Sequence, residues 1–315
     1  MALRHAAVLT VAGTLAALAV CAAGAAGAVG VDARASASAR SPTAYLLAAQ
    51  NRDGGFGAAP GQHSSTLYSG WAALGLAAAG HNPAAVSRGG PSLLSYIERH
   101  LGTDAASLER TILVARAAGV PATKFGGHDL VSALGGEIKA DGSVQHKVDL
   151  TTFAVLALRA AGVAVPSRTI RWLVRQQDRN GGFSYATAGA KPDVDDTGSA
   201  LEAIAASHRG ASRRAVHYIR ATQNRDGGFP SQPGGASNAQ STAWAVQGLI
   251  AAGVDVSKVR HRGSPSPRRY LESLTTRSGA INYARRISLT PVWVTAEAIM
   301  ALAGKSLPLS PTSLG

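Results

Sequence analysis

Cysteine is all but missing: the 315-residue chain has one, Cys21, and it sits inside an uncharged N-terminal run. Beyond that run there is no disulfide, no thiolate nucleophile and no cysteine ligand for a metal. Aromatic residues are only 5% of the chain, so the abundant Ala and Gly must let backbones approach closely where large rings would otherwise fill space. Acids are scarce too, 18 against 31 Lys and Arg, which leaves a formal charge of +13. No nucleic-acid module accompanies that charge, so nucleic acid is not an expected partner. An anionic cell envelope is. Basic residues cluster locally at Arg213-Arg214, Arg268-Arg269 and Arg285-Arg286, and the histidines show no metal-ligand spacing, so neither a metal nor a cofactor is expected.

Residues 1–31 differ from the rest. Arg4 and His5 precede a run of Ala, Val, Leu and Gly that reaches small-residue sites near Ala26-Gly27-Ala28. This reads as an export signal, or as a retained anchor, since the run is long enough to span a bilayer. Either places the body outside the cytoplasm, secreted or at the cell surface. Leu18-Ala19-Val20-Cys21 is like a lipoprotein processing site, but Val20 is too large for the position before the cysteine. Residues 32–43 read as a small polar tether.

What the chain does have is repetition. Gln50-Asn51-Arg52-Asp53-Gly54-Gly55-Phe56 recurs letter for letter at Gln223 to Phe229, and as QDRNGGF at Gln177 to Phe183. Asp141-Gly142-Ser143-Val144 and Ser278-Gly279-Ala280-Ile281 are weaker copies. Apolar-periodic segments flank each turn, and those after it share a frame: Thr151, Thr197, Thr242 and Thr295, with Ser69 in the same place, each lead into an apolar stripe ending seven residues later. In this reading the Thr or Ser starts the helix. Six helix pairs result, spaced by roughly forty to fifty residues, over residues 44–304 with a tail at 305–315.

The turn has a local explanation. Asn and Asp bond to nearby backbone, the paired glycines take the positive φ of a helix stop, and the Phe re-enters the core. The letters NRDG and DRNG also resemble the opening of a calcium loop, but position twelve is Gln62 counted from Asn51 and Gly235 counted from Asn224, so the bidentate carboxylate is missing.

Repeated Q-N-x-D-G-G-F turns between Ala-rich helix pairs resemble the prenyltransferase and squalene-cyclase repeat superfamily. The resemblance implies an all-α fold, an α6/α6 toroid of six helical hairpins, as a single domain. It does not by itself imply an activity. Protein prenyltransferases and thioester domains both need a Cys that the body lacks. Class II terpene cyclases protonate an alkene or epoxide through a D-x-D-D motif, which Asp193-Val194-Asp195-Asp196 is similar to. On that resemblance Asp195 is the acid, tuned by Asp193 and Asp196. The plainer reading is that acids gather at a helix N-terminus, where they cap free N–H groups.

Few aromatics argue against a carbocation-handling cavity. Val194-Asp195-Asp196-Thr197-Gly198-Ser199-Ala200-Leu201 is also similar to a helix start in the helical domain of intrinsic factor and transcobalamin, which are not enzymes. There the resemblance implies ligand binding by Asp195, Asp196 and Thr197, completed by a separate exported β-rich partner. Glu137, Glu202, Glu272 and Glu297 are too scattered to form a glycosidase pair and read as mostly solvated helix faces.

The expectation is therefore an exported toroid that binds an apolar or amphipathic ligand or a partner domain without catalysis. Class II cyclisation is the alternative, and a structural cell-surface role is the second.

Overall fold

The computed structural model describes residues 40–313; the signal or anchor segment, Cys21 and most of the tether lie outside the described residues. Among the described residues no helix is long and apolar enough to cross a membrane.

Six helices form an inner ring: α2 (Thr66–Ala78), α4 (Ala105–Ala118), α6 (Val148–Ala160), α8 (Val194–Ile204), α10 (Ala239–Ala251) and α12 (Pro291–Leu302). Six others lie outside them: α1 (Pro42–Ala49), α3 (Leu93–Arg99), α5 (Leu130–Glu137), α7 (Ser167–Arg175), α9 (Arg209–Ala221) and α11 (Pro267–Ser273). Each inner helix packs on the next, and α12 packs back on α2, so the ring closes. The outer helices sit against one or two inner neighbours. This is the α6/α6 toroid that the repeats imply.

Sequence explains the division. Inner helices are apolar nearly all round: α10 buries ten residues and α12 ten, as expected for helices packed on both sides. Outer helices such as α9 keep their arginines exposed and bury Ala211, Ala215, Tyr218 and Ile219.

Small residues set the inner spacing. A Cβ on Gly198 would lie 2.5 Å from the Trp244 carbonyl oxygen, and one on Gly248 would lie 2.5 Å from that of Gly198, so α8 and α10 touch backbone to backbone. Gly75 and Ala296 bring α2 and α12 together in the same way.

Each turn is a cradle of specific bonds. Gln50 Nε2 donates to the Gly54 carbonyl at 2.9 Å and to Val86 at 3.2 Å, and Gln177 and Gln223 repeat the arrangement. Asp53 Oδ1 accepts from the Gly55 N–H and the Ser64 hydroxyl, each at 2.9 Å, as Asp226 does from Gly228 and Ser237. The glycines divide their work, contrary to the expectation that both take positive φ. Gly54, Gly181 and Gly227 do, at φ +90, +93 and +88. Gly55, Gly182 and Gly228 instead make room for the rings of Tyr96, Tyr218 and Tyr270, which a Cβ would meet within 2.9 Å. A short hairpin, β1 (Phe229–Pro230) with β2 (Ser237–Asn238), elaborates one turn.

The recurring Thr or Ser does not start its helix. The caps are Ser65, Lys147, Asp193 and Asn238, and Ser69, Thr151, Thr197 and Thr242 lie four residues further on. Their hydroxyls accept the backbone N–H of Phe56, Val144, Phe183 and Phe229 at 2.8–2.9 Å, and Thr295 accepts that of Ile281. The α4 unit, without a glycine turn, has Leu108 at this place.

The first N–H of each of four inner helices bonds to the loop of the following unit. Val148 donates to Tyr185, Val194 to Ser231, Ala239 to Tyr283, and Val292 to Ala58, the last bond joining end to beginning. These N-termini and turn loops therefore share one mouth of the barrel. The chain after α12 also packs down: Asn82 Nδ2 donates to the Thr312 carbonyl at 2.7 Å, and the Leu307 N–H donates to Glu202 Oε2.

Candidate functional site

The mouth is defined by register. Asp149, Asp195 and Gln240 are each two residues past the caps Lys147, Asp193 and Asn238 on consecutive inner helices. Gln240 Nε2 donates to Glu297 Oε2 on α12 at 2.9 Å, and Trp293 Nε1 donates to Glu297 Oε1 at 2.6 Å. On α4, Glu109 is held well above the usual carboxylate range, first by burial and then by the charge of Asp149, with Arg110 opposing. Burial likewise lowers Arg110, whose side chain crosses Gly70 of α2. Five of the six inner helices, α4 to α12, thus contribute side chains to one polar band, and α2 makes room for it at Gly70.

The three acids of the Asp193-Val194-Asp195-Asp196 run go different ways. Asp193 is the helix cap, accepting the Asp196 N–H at 2.8 Å, and its charge falls on Tyr218 of the outer helix α9. Asp195 is half-buried and lies close enough to Tyr283 for its charge, after burial, to push that hydroxyl's pKa up. Asp196 is buried at the next position. Thr197 is fully buried and its hydroxyl is engaged by the Phe183 N–H and the Asp193 carbonyl, so it serves the turn rather than the mouth.

One helical turn deeper lies a floor of rings. Trp71, Phe153 and Trp244 are each six residues past the caps Ser65, Lys147 and Asn238. Their centroids are 6.1 Å apart for Trp71 and Phe153, 5.8 Å for Trp71 and Trp244, and 5.7 Å for Phe153 and Trp244, all edge to face. These rings come from alternate helices of a six-membered ring, so they can meet only at its axis. Trp293 stacks on Trp71 at 6.0 Å. Scarcity of aromatics misleads here, because three of the four tryptophans gather at one point.

Glu202 and Glu297, expected on solvated faces, are buried. Reasoning from sequence missed Asp149, Gln240 and Glu297 as mouth residues. A signal existed, since Asp149, Asp195 and Gln240 each precede the repeat threonine by two. Among the described residues no group of three or more His, Cys, Asp or Glu is placed to hold a metal.

A family model for the prenyltransferase alpha-alpha toroid domain matches residues 13–97 and 92–280. The chain belongs to that family. Solved structures share the toroid. The type II terpene cyclase MstE from Scytonema has a TM-score of 0.61 at 15% identity, over 83% of this chain and 95% of that one. A protein from Actinoplanes gives 0.62 at 14%, over 84% and 97%. The ent-copalyl diphosphate synthase from Streptomyces platensis gives 0.53 at 18%, over 76% of this chain but 50% of that one. At such identities the likeness establishes the fold alone. No curated protein matches the chain in sequence.

Proposed function

We propose that the toroid is a binding domain for a small amphipathic molecule, seated at the mouth with its apolar part on the ring floor and its polar end among Asp195, Gln240 and Tyr283. The observation that carries this is the contact of Trp71, Phe153 and Trp244 on the axis. Rings at these distances leave no space between them for a polyprenyl chain to fold, so in this reading the apolar part of the ligand lies over the closed cluster, at the edges of Trp71 and Phe153, which keep 3% and 4% exposure while Trp244 keeps none. The toroid neighbours support an apolar ligand class: MstE has been solved with geranylgeranyl dihydroxybenzoate, its substrate. The reading includes export and a separate β-rich partner, which cell fractionation and co-purification from the medium would test.

Class II protonation is the second reading, favoured by Asp195 standing at the mouth beside Tyr283 and above the rings. One experiment separates the two. The full chain is mixed with geranylgeranyl dihydroxybenzoate while tryptophan fluorescence is followed and products are extracted. Saturable quenching with no product in the wild type supports binding. Product made by the wild type and lost in Asp195→Asn establishes the acid and overturns the binding reading. Neither quenching nor product leaves a structural cell-surface role.

A further inference from the structure

Away from the mouth, α9 borders an open groove of about 780 Å³. Arg209, Arg213, His217 and Arg220 line it, and none of Asp149, Asp195, Gln240 and Glu297 does. Its floor is apolar, made by Ala205 beyond α8, Val216 of α9, and Ala252 and Val254 beyond α10. The volume falls within the range of small-molecule sites, roughly 300–1,000 Å³.

The basic residues form one stripe. Positions 209, 213, 217 and 220 follow helical spacing along about 16 Å of α9. All four are exposed, no carboxylate lines the groove, and none of the four is in an ion pair among the described residues. Arg214, on another face, is engaged by Gln177.

The arrangement also works against the helix that carries it. The first turn of α9 has no acid, and Arg209, Arg213 and Arg214 crowd its N-terminal half, where the backbone dipole already presents positive charge. Helix stability would place acids there. An external anion relieves both repulsions at once.

The geometry points to a single-chain anionic amphiphile as the occupant, with a phosphate head on Arg213 and His217, Arg209 and Arg220 flanking it, and its hydrocarbon chain along the Ala and Val floor. Arginine suits such a head because its planar fork pairs two phosphate oxygens together. A bare inorganic anion would leave the floor unused, and a zwitterionic head would meet the stripe with its own cation. This site is independent of the mouth, so its failure would leave the reading of the mouth untouched.

The test is titration of the full chain with oleoyl lysophosphatidic acid below its micelle concentration, followed by calorimetry. Saturable binding of one molecule per chain is expected, with at least tenfold weaker binding for Arg209→Glu/Arg213→Glu and for the milder Arg213→Gln/His217→Gln. Arg286→Glu, outside the groove, should bind as the wild type does, and thermal melts confirm that each variant is folded. Lysophosphatidylcholine and inorganic phosphate should bind at least tenfold more weakly. Equal binding of inorganic phosphate, unchanged affinity in folded stripe variants, or capture by phosphatidylglycerol vesicles without uptake of the lysolipid would each overturn the proposal.

Discussion

Phe183 donates its backbone N–H to Thr197 Oγ1 at 2.8 Å, fourteen residues along the chain, and the Thr197 hydroxyl in turn donates a hydrogen bond to the Asp193 carbonyl. The hydroxyl thereby ties the turn to the second coil of α8 and satisfies a buried amide that has no helical or ladder partner. Replacing it by Val leaves that amide unpaired. We expect Thr197→Val to lose about 1–3 kcal/mol in urea unfolding, and Thr197→Ser to recover most of it. Equal stability of the Val and Ser variants would refute the latch.

The backbone contact between α8 and α10 makes a second, opposite pair of predictions. Gly198→Ala places a methyl group 2.5 Å from the Trp244 carbonyl oxygen and should destabilise by about 1–3 kcal/mol as the helices are forced apart. Gly135, inside α5, has open space around its would-be Cβ, so Gly135→Ala should stabilise by roughly 0.5–1 kcal/mol through helix propensity. Thermal or chemical denaturation of the two variants side by side checks the contrast.

Trp244 is fully buried and touches both Trp71 and Phe153. Trp244→Ala should cost about 3–5 kcal/mol and collapse the near-ultraviolet circular dichroism that coupled rings produce. The same substitution at Trp172, on the outer helix α7 and outside this ring cluster, should leave the coupled-ring signal largely intact.

Glu202 supplies a pH dependence. Burial pushes its carboxyl up to about 8 from an ordinary 4.5, partly offset by the Leu307 N–H. Because the folded value is the higher one, its contribution is complete below about 4.5 and is lost as pH rises towards about 8. Within that window each such group removes about 1.4 kcal/mol of stability per pH unit at most. Glu202→Gln, neutral throughout, should make stability fall less steeply from pH 5 to pH 8 than in the wild type. Parallel slopes in denaturant titrations would show that Glu202 ionises as freely in the folded chain as in the unfolded one.

The repeats make the toroid legible in the sequence itself. Identical turns after outer helices, and a Thr or Ser at one place in the inner helices, are local signals, and a ring of six pairs is how such units bury their apolar faces without ends. The three-acid run was legible too, as a departure from that frame.

Its division of labour was not. Whether an acid caps a helix, as Asp193 does, or stands at the mouth beside Tyr283, as Asp195 does, depends on helix rotation that periodicity leaves free by a residue or two. Glu202 and Glu297 look like surface acids because their burial is created by partners far along the chain, Leu307 in one case and Gln240 in the other.

The sequence alone determined the number of units, the place of each turn and the small-residue packing, all of which act over a few residues, though not the separate roles of the two turn glycines or of the repeat threonine. Only the tertiary structure decided what fills the centre. Trp71, Phe153 and Trp244 are separated by about eighty to ninety residues each, and closing a six-helix ring brings alternate members to one axis. Sparse aromatics spread along a chain become a dense floor once the chain closes on itself.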